Sequence, residues 1–283
     1  MEFDPHFSLT PKMLRQLKAI DQTTGFLEAV GLQPSWITEV PGRTVVREAL
    51  ASLQIEGNTL SLEQAFELSE GLPNRELRDS EREFLNYLRA FDAVDPFRNQ
   101  RDAVITRGDL LNLHGLLVSG VRGGRRGTGE FRREDVKVGD IMGEEVVVHH
   151  HPPSWFQVDQ DVEALLEWIE AGKTKGADSD DPWVHPVIQA GIAQHRMVWI
   201  HPFVDGNGRT ARMFTTMLLY QRGYDFKFLF ELSGYYNRSR HAYYQALRSA
   251  DHGNDYTEWL TYFLGGFAYQ MVRIQERARA NAV

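Results

Sequence analysis

The sequence contains no cysteine among its 283 residues. That excludes a disulfide scaffold, a thiolate metal site and a thiol nucleophile. No stretch approaches the ~18 consecutive apolar residues of a membrane span. The first eleven residues carry Glu2, Asp4 and His6 in place of the apolar run of a secretory signal. Positive charge is in deficit, 31 Lys and Arg against 39 Asp and Glu for a net charge of −8. This balance argues against a bulk nucleic-acid binder or a membrane-surface binder, though it leaves room for a local basic pocket. There is no internal repeat. The expectation is a cytoplasmic protein with no membrane partner and no direct nucleic-acid site.

Apolar residues make up 42% of the chain, enough for the core of one large domain or two small ones. They recur at helical spacing. Leu14, Leu17, Ile20, Phe26 and Leu27 predict an N-terminal helix or helix pair, interrupted by Pro34 and Pro41-Gly42. A second helix is expected from Thr44 to a stop at Gly57-Asn58. Ser61, with Gln64 in capping-box position, starts another. Further helices are expected over 79–91, around Leu110–Leu117, around Val162–Ile169, and over 183–199, 211–220, 243–249 and 256–277. Two short runs, Val136–Val138 and Glu145–Val148, have strand composition, and Gly139 to Gly143 between them reads as a hairpin connection. Pro152-Pro153 ends the hairpin. The fold class is all-α with one small β-hairpin. The organisation predicted is an N-terminal helical region, 1–98, followed by a core with C-terminal helices, 99–283.

The segment His201-Pro202-Phe203-Val204-Asp205-Gly206-Asn207-Gly208-Arg209-Thr210-Ala211-Arg212 carries the chemistry. Pro202 breaks one helix, and Gly206 and Gly208 permit backbone angles that other residues resist. The next helix starts near Gly208, and its free N–H groups and positive dipole end form a phosphate cradle. Asn207 adds a side-chain donor. Arg209 and Arg212, three residues apart, can face one polyphosphate. Asp205 beside phosphates calls for a hard cation, and Mg²⁺ commonly binds through a carboxylate, phosphate oxygens and water. His201, of ordinary pKa ~6.5, is a candidate general base for a hydroxyl that attacks phosphorus.

This string resembles, position for position, the signature His-Pro-Phe-x-Asp-Gly-Asn-Gly-Arg-x-x-Arg of Fic-domain proteins. Gly129-Glu130-Phe131-Arg132, Val136–Gly139 and Pro152-Pro153 resemble the segment through that family's flap hairpin. His185–Ala190 resembles the helix before the motif. The resemblance implies transfer of AMP from ATP to a Ser, Thr or Tyr hydroxyl of a target protein, with release of pyrophosphate. The target's identity is unknown, and self-modification is one form the reaction can take. Carried over, His201 is the base, Asp205 holds Mg²⁺, and Gly206, Asn207 and Gly208 bind the α- and β-phosphates. Arg209 supports the loop and Arg212 reaches the γ-phosphate. The family also places Tyr236 and Asn237 near the adenine.

Val45, Ala49, Ser52 and Glu56 share one helix face whose first members are apolar, which points Glu56 inward. A buried carboxylate needs a cationic partner, and Arg212 is the attractive one. Ser52 to Gly57 resembles the Fic inhibitory motif Ser/Thr-x-x-x-Glu-Gly/Asn. The resemblance implies that Glu56 pairs with Arg212 in place of the γ-phosphate. The flap residues Val146, Val147, Val148, His149 and His150 are expected to pair main-chain groups with an extended target segment. His195 reads as a packed histidine. Three alternatives stay open: removal of AMP by a water that Glu56 orients, another nucleotide donor, and a non-catalytic module that senses ATP.

Overall fold

Small polar side chains open several of the helices, because they take up N–H groups that a first turn leaves without partners. The computed structural model describes residues 3–31, 34–121, 127–142, 145–174, 184–224, 231–251 and 254–282. Thr10 accepts from the Met13 N–H at 3.2 Å and opens α1 (Pro11–Ala29), with Pro11 where a proline costs no hydrogen bond. Ser61 opens α3 (Leu62–Glu70) through the expected capping box. Its hydroxyl accepts from the Gln64 N–H at 3.2 Å, and the Gln64 side chain accepts from the Ser61 N–H at 3.1 Å. Thr106 and Asp109 repeat this arrangement at α5 (Arg107–Val118).

α2 (Pro34–Ile55) starts earlier than expected and runs through Pro41 and Gly42. An interior proline costs a helix ~3 kcal/mol. The later turns outweigh that cost by burying Val46, Ala49, Leu50 and Leu53. The end of α2 matches the sequence reading. Gly57 takes φ 92°, its N–H reaches the Gln54 carbonyl at 3.0 Å, and the Asn58 N–H reaches Leu53 at 3.1 Å. That is a Schellman closure, which needs a residue free to enter the left-handed region.

α4 (Asp79–Val94) and a 3₁₀ turn (Asp95–Asn99) precede α5, and α6 (Val158–Thr174), α7 (Pro186–Ile200) and α8 (Asn207–Gln221) follow the hairpin. α9 (Leu232–Arg238), α10 (Arg240–Ser249) and α11 (Thr257–Arg279) complete the described helices; α9 was not expected. The hairpin strands are β1 (Val138–Met142) and β2 (Glu145–His150), antiparallel, with Val138 opposite His150 and Met142 opposite Glu145. The first strand is therefore displaced: residues 139–142, read as the connection, are strand. A register shift lies between Val138 and Gly139, and the extra residue on β2 is His149.

α7 and α8 pack against each other at the centre. α1 lies on α11, α2 on α9 and α4, and α5 on α4 and α8. One apolar core joins residues from both 1–98 and 99–283, with Phe84, Phe203, Phe214, Trp259 and Phe263 fully buried. Among the described residues no helix is long and apolar enough to cross a membrane.

Candidate active site

α7 ends at Ile200, and His201 turns the chain out of the helix with φ 50° and ψ 57°. Its Nδ1 lies 3.3 Å from the Val198 carbonyl. A carbonyl only accepts, so Nδ1 carries the proton and Nε2 keeps its lone pair. Burial pushes the His201 pKa down to about 4, against the Val198 hydrogen bond, and His150 and Arg132 add to the depression. The ring is thus neutral at physiological pH, with an acceptor nitrogen at the mouth of the loop.

Three side chains that carry no obvious chemistry fix this turn. Arg132 is wholly buried at its side chain and donates to the His201 carbonyl at 2.9 Å, to the Glu134 carbonyl at 3.0 Å and to the Pro153 carbonyl. Its own N–H reaches the Pro202 carbonyl at 2.9 Å. It therefore ties both ends of the hairpin segment to the end of α7. His114 stacks on Phe203 with centroids 3.7 Å apart and planes 5° from parallel. His114 Nδ1 accepts from the Gly129 N–H at 3.1 Å, which leaves Nε2–H to donate to the Asp205 carbonyl, also at 3.1 Å. Burial holds its pKa near 4, so this tautomer persists. Asn207 differs from the sequence reading. Its side chain is buried, accepts from the Phe203 N–H at 2.9 Å and donates to the Phe203 carbonyl at 2.8 Å. The side-chain amide braces the loop, and only the backbone N–H of Asn207 remains for an anion.

Gly206, at φ 78°, caps α8. A Cβ there would lie 2.8 Å from Val118 Cγ1, so both the angle and the space require glycine. The first regular bond of the helix runs from the Thr210 N–H to the Gly206 carbonyl. Among the described residues, the N–H groups of Asn207, Gly208 and Arg209 have no acceptor, which is the donor set of an anion cradle. Asp205 Oδ1 accepts from the Gly206 N–H and from Arg209 at 3.3 Å, while the side chain stays 48% exposed. Arg209 also donates to Glu83 of α4 at 3.3 Å, and Glu83 accepts from Asn58 at 2.8 Å. Arg209 therefore supports the loop from behind. No group of three or more His, Cys, Asp or Glu suited to a metal occurs among the described residues. A cation at Asp205 would complete its shell with phosphate oxygens and water. One half-exposed carboxylate beside an anion cradle fits Mg²⁺ on those terms.

Arg212 is buried one turn further along α8 and faces α2. Its Nε donates to the Ser52 hydroxyl at 2.8 Å. One terminal nitrogen reaches the Ser52 carbonyl at 3.0 Å and Glu56 Oε1 at 2.7 Å. Burial opposes the guanidinium charge, but Glu56 together with Tyr243 and Tyr87 outweighs it and holds the Arg212 pKa above its ordinary value. Glu56 itself is not buried as expected. It lies one residue past the end of α2 with a side chain 35% exposed, so the pair joins a rim carboxylate to a buried cation. Gly208 makes room for it: a Cβ there would collide with Glu56 Oε1 and lie 3.1 Å from Arg212. The carboxylate thus sits over the first turn of α8, where an anion would bind.

The remaining candidates divide. Tyr236 is fully buried, stacked on Tyr243 at 4.3 Å, with its hydroxyl 3.3 Å from Gln194. In this state it belongs to the core and presents no surface to an adenine. Asn237 is partly exposed, donates to Gln54 of α2 at 2.8 Å and accepts from Arg240 at 3.0 Å. On the hairpin, Val147 and His149 are exposed and Val148 half-buried, while His150 reaches the Trp199 carbonyl at 2.8 Å. Val146 pairs with Ile141 in the ladder. The sheet has two strands, so each keeps one edge without a described partner strand. His195 is a packed histidine bonded to the Leu247 carbonyl at 2.9 Å. The basic loop 122–126 lies outside the described residues.

A family model described as the Fic/DOC family matches residues 104–219. "Protein adenylyltransferase Fic" of Culex quinquefasciatus is 27% identical over 85% of this chain and 44% of its own length. The protein of the same name from Nematostella vectensis is 26% identical over 76% of this chain and 46% of its own length. The chain spans less than half the length of these relatives. A crystal structure of a Fic family protein from Desulfovibrio desulfuricans G20 superposes with a TM-score of 0.79 at 25% identity, covering 96% of this chain and 76% of that one. A Fic domain containing signaling protein from Bacteroides thetaiotaomicron shares the fold, with a TM-score of 0.75 at 19% identity over 94% and 97% of the two chains. The segment that matches the Fic/DOC family model, residues 104–219, holds the cradle at the start of α8, the neutral His201 and the hairpin stapled to them.

Proposed function

We propose that the chain is a protein adenylyltransferase whose phosphate site is closed by its own Glu56. One observation carries this reading: the Glu56 carboxylate lies 2.7 Å from the buried Arg212 and against Gly208, over the free N–H groups of α8. An acceptor anion already fills a site built for anions. In the active state ATP places its phosphates on the N–H groups of Asn207, Gly208 and Arg209, and its terminal phosphate takes Arg212 from Glu56. Asp205 holds Mg²⁺, whose charge offsets that of the phosphates. His201 Nε2 takes the proton of a target Ser, Thr or Tyr hydroxyl as the hydroxyl oxygen bonds to the α-phosphorus and pyrophosphate leaves. The edge and exposed face of the hairpin beside His201, Val146 to His150, hold the target segment. Asn237, next to the exposed rim, is the side chain best placed to meet the base of the nucleotide.

The test is the intact mass of Glu56→Gly after incubation with ATP and Mg²⁺, alone and with cell extract. The expected result is AMP incorporation into this chain or an extract protein, with none for Glu56→Gly/His201→Ala. ATP binding without any modified product would instead make the chain a nucleotide-sensing module.

A further inference from the structure

α2, α9 and α11 enclose a cleft of about 420 Å³ lined by Arg47, Arg238, Arg273, Arg277, Tyr269 and Glu231. None of these residues takes part in the anion loop. We propose that this cleft is a second anion site, which binds a small di- or polyphosphate.

The charge distribution carries the inference. Four guanidiniums line the cleft with a single carboxylate, on a chain whose net charge is −8. Glu231 is 3.8 Å from Arg47 and is shared electrostatically with Arg277 and Arg273. Arg238 and Arg273 converge from two different helices on one neutral oxygen: each donates to the Tyr269 hydroxyl, at 2.8 and 2.9 Å. Both guanidiniums also lie over the Tyr269 ring, at 4.4 and 5.6 Å from its centroid. Two cations drawn to one phenol oxygen repel each other, and no carboxylate among the described residues pairs with either within salt-bridge distance. Their field lowers the Tyr269 phenol from its ordinary pKa, through the hydrogen bond from Arg238 first and that from Arg273 second. A purely structural helix contact needs only one of the two arginines. Convergence in a concave site suits a compact, multiply charged anion that accepts forked guanidinium hydrogen bonds. A nucleic-acid strand would instead meet a linear basic track.

An anion there would bridge α2, which carries Arg47, to α9, which ends at Arg238, and to α11. Glu56 directly follows the last residue of α2, so the bound anion would hold the closed arrangement.

Thermal unfolding with pyrophosphate tests the site, without Mg²⁺ and at ionic strength held constant with NaCl. The comparison is between wild type, Arg212→Ala and Arg238→Glu/Arg273→Glu. A ligand that binds only the folded chain raises Tm with concentration. The expected result is a rise in wild type that persists in Arg212→Ala, whose anion loop is impaired, and disappears in the charge-reversed pair. Arg238→Gln/Arg273→Gln, which keeps the shape of the exposed surface, should bind pyrophosphate at least roughly tenfold more weakly, as expected for lost charge-assisted hydrogen bonds. An unchanged rise in both arginine pairs overturns the proposal, as does a rise abolished by Arg212→Ala alone. So does no rise in wild type at ~10 mM, well above the ~1 mM dissociation constant of weak binding. Adenylyl transfer can fail its own test without altering any of these outcomes.

Discussion

Arg209 and Arg212 leave the same helix one turn apart, and both are nearly inaccessible at their side chains, 5% and 3% exposed. They face opposite supports. Arg209 turns to α4 and back to its own loop, where Glu83 and Asp205 each stand 3.3 Å away. Arg212 turns to α2, where Ser52 fixes its orientation and Glu56 supplies the counter-charge at 2.7 Å. The α4 side has two carboxylates that also serve the scaffold, one braced by Asn58 and one by Gly206. The α2 side has a carboxylate at the rim of the site, beyond the last helical residue. The same residue type thus faces two carboxylates held by the scaffold in one place and a single carboxylate at the rim of the site in the other.

The largest effect is expected at His201. His201→Ala in a Glu56→Gly background should reduce AMP transfer by ~10²–10⁴-fold, the usual contribution of a positioned base. ATP affinity should barely change, since the phosphates rest on α8. Because burial holds the His201 pKa near 4, the ring is already deprotonated at neutral pH. The pH–rate profile should therefore show no histidine titration between about pH 6 and 8; a limb near ~6.5 that vanishes in His201→Ala would contradict the assigned environment.

The next effect separates the two partners of the α2 pair. Glu56→Gly should raise transfer by roughly 10–100-fold, the worth of one charge-assisted contact of ~1.5–3 kcal/mol. Arg212→Ala should not, although it breaks the same ion pair, because it also removes a ligand of ATP. The double variant should resemble Arg212→Ala. A double variant as active as Glu56→Gly would remove Arg212 from nucleotide binding.

A smaller effect tests the α4 side. Arg209→Ala should lower activity by a similar factor with Glu56 present or absent and should lower Tm, since it strands Glu83 and Asp205 without their cation. Asp205→Ala should lower activity most at low Mg²⁺. A Mg²⁺ titration of the same midpoint as the parent would take Asp205 out of the metal role.

The smallest effect is confined to stability. Glu48, two turns before Glu56 on α2, is buried and accepts from the Ser233 N–H at 2.9 Å and from the Ser233 hydroxyl, which anchors the first turn of α9. Burial pushes its pKa up to about 7 despite those hydrogen bonds, with Glu231 adding and Arg212 opposing. A raised carboxyl pKa means the folded chain holds a proton that the unfolded chain has lost. Its contribution is therefore complete below the ordinary carboxyl range and declines as pH rises through about 7. Glu48→Gln should become more stable relative to wild type as pH increases from about 5 to 8. A constant Tm difference across that range would show that Glu48 is ionised in the folded chain throughout.

The candidate site was legible where its chemistry is contiguous in sequence. Twelve residues hold His201, Asp205, the glycines and both arginines, so spacing alone places them on one loop. Glu56 was legible because Ser52 and Glu56 share a helix face and Gly57 marks the helix stop, although only the structure shows that Glu56 stands at the rim. His114, Glu83 and Arg132 were missed because each comes from another part of the chain and acts only after packing. A lone histidine among Leu110, Leu113 and Leu117 of α5 was the one available signal for His114. The first strand was misplaced because Gly139 reads as part of a turn when it is a strand residue at an irregular step. α2 was cut short because the local cost of Pro41 was weighed without the tertiary face that offsets it. Tyr236 was placed near a ligand by resemblance, whereas its burial depends on stacking against Tyr243, which no local pattern reports.

The central claim is that Glu56 and the terminal phosphate of ATP compete for Arg212, and it can be measured without knowing the target protein. The measurement is the rise in Tm of wild type and of Glu56→Gly across a titration of ATP with Mg²⁺. The prediction is a larger rise at every concentration for Glu56→Gly, because Arg212 then keeps Ser52 but has no counter-charge from Glu56, and ATP no longer has to displace a carboxylate. Equal rises in the two proteins would contradict it and leave Glu56 as an ordinary carboxylate at a helix end.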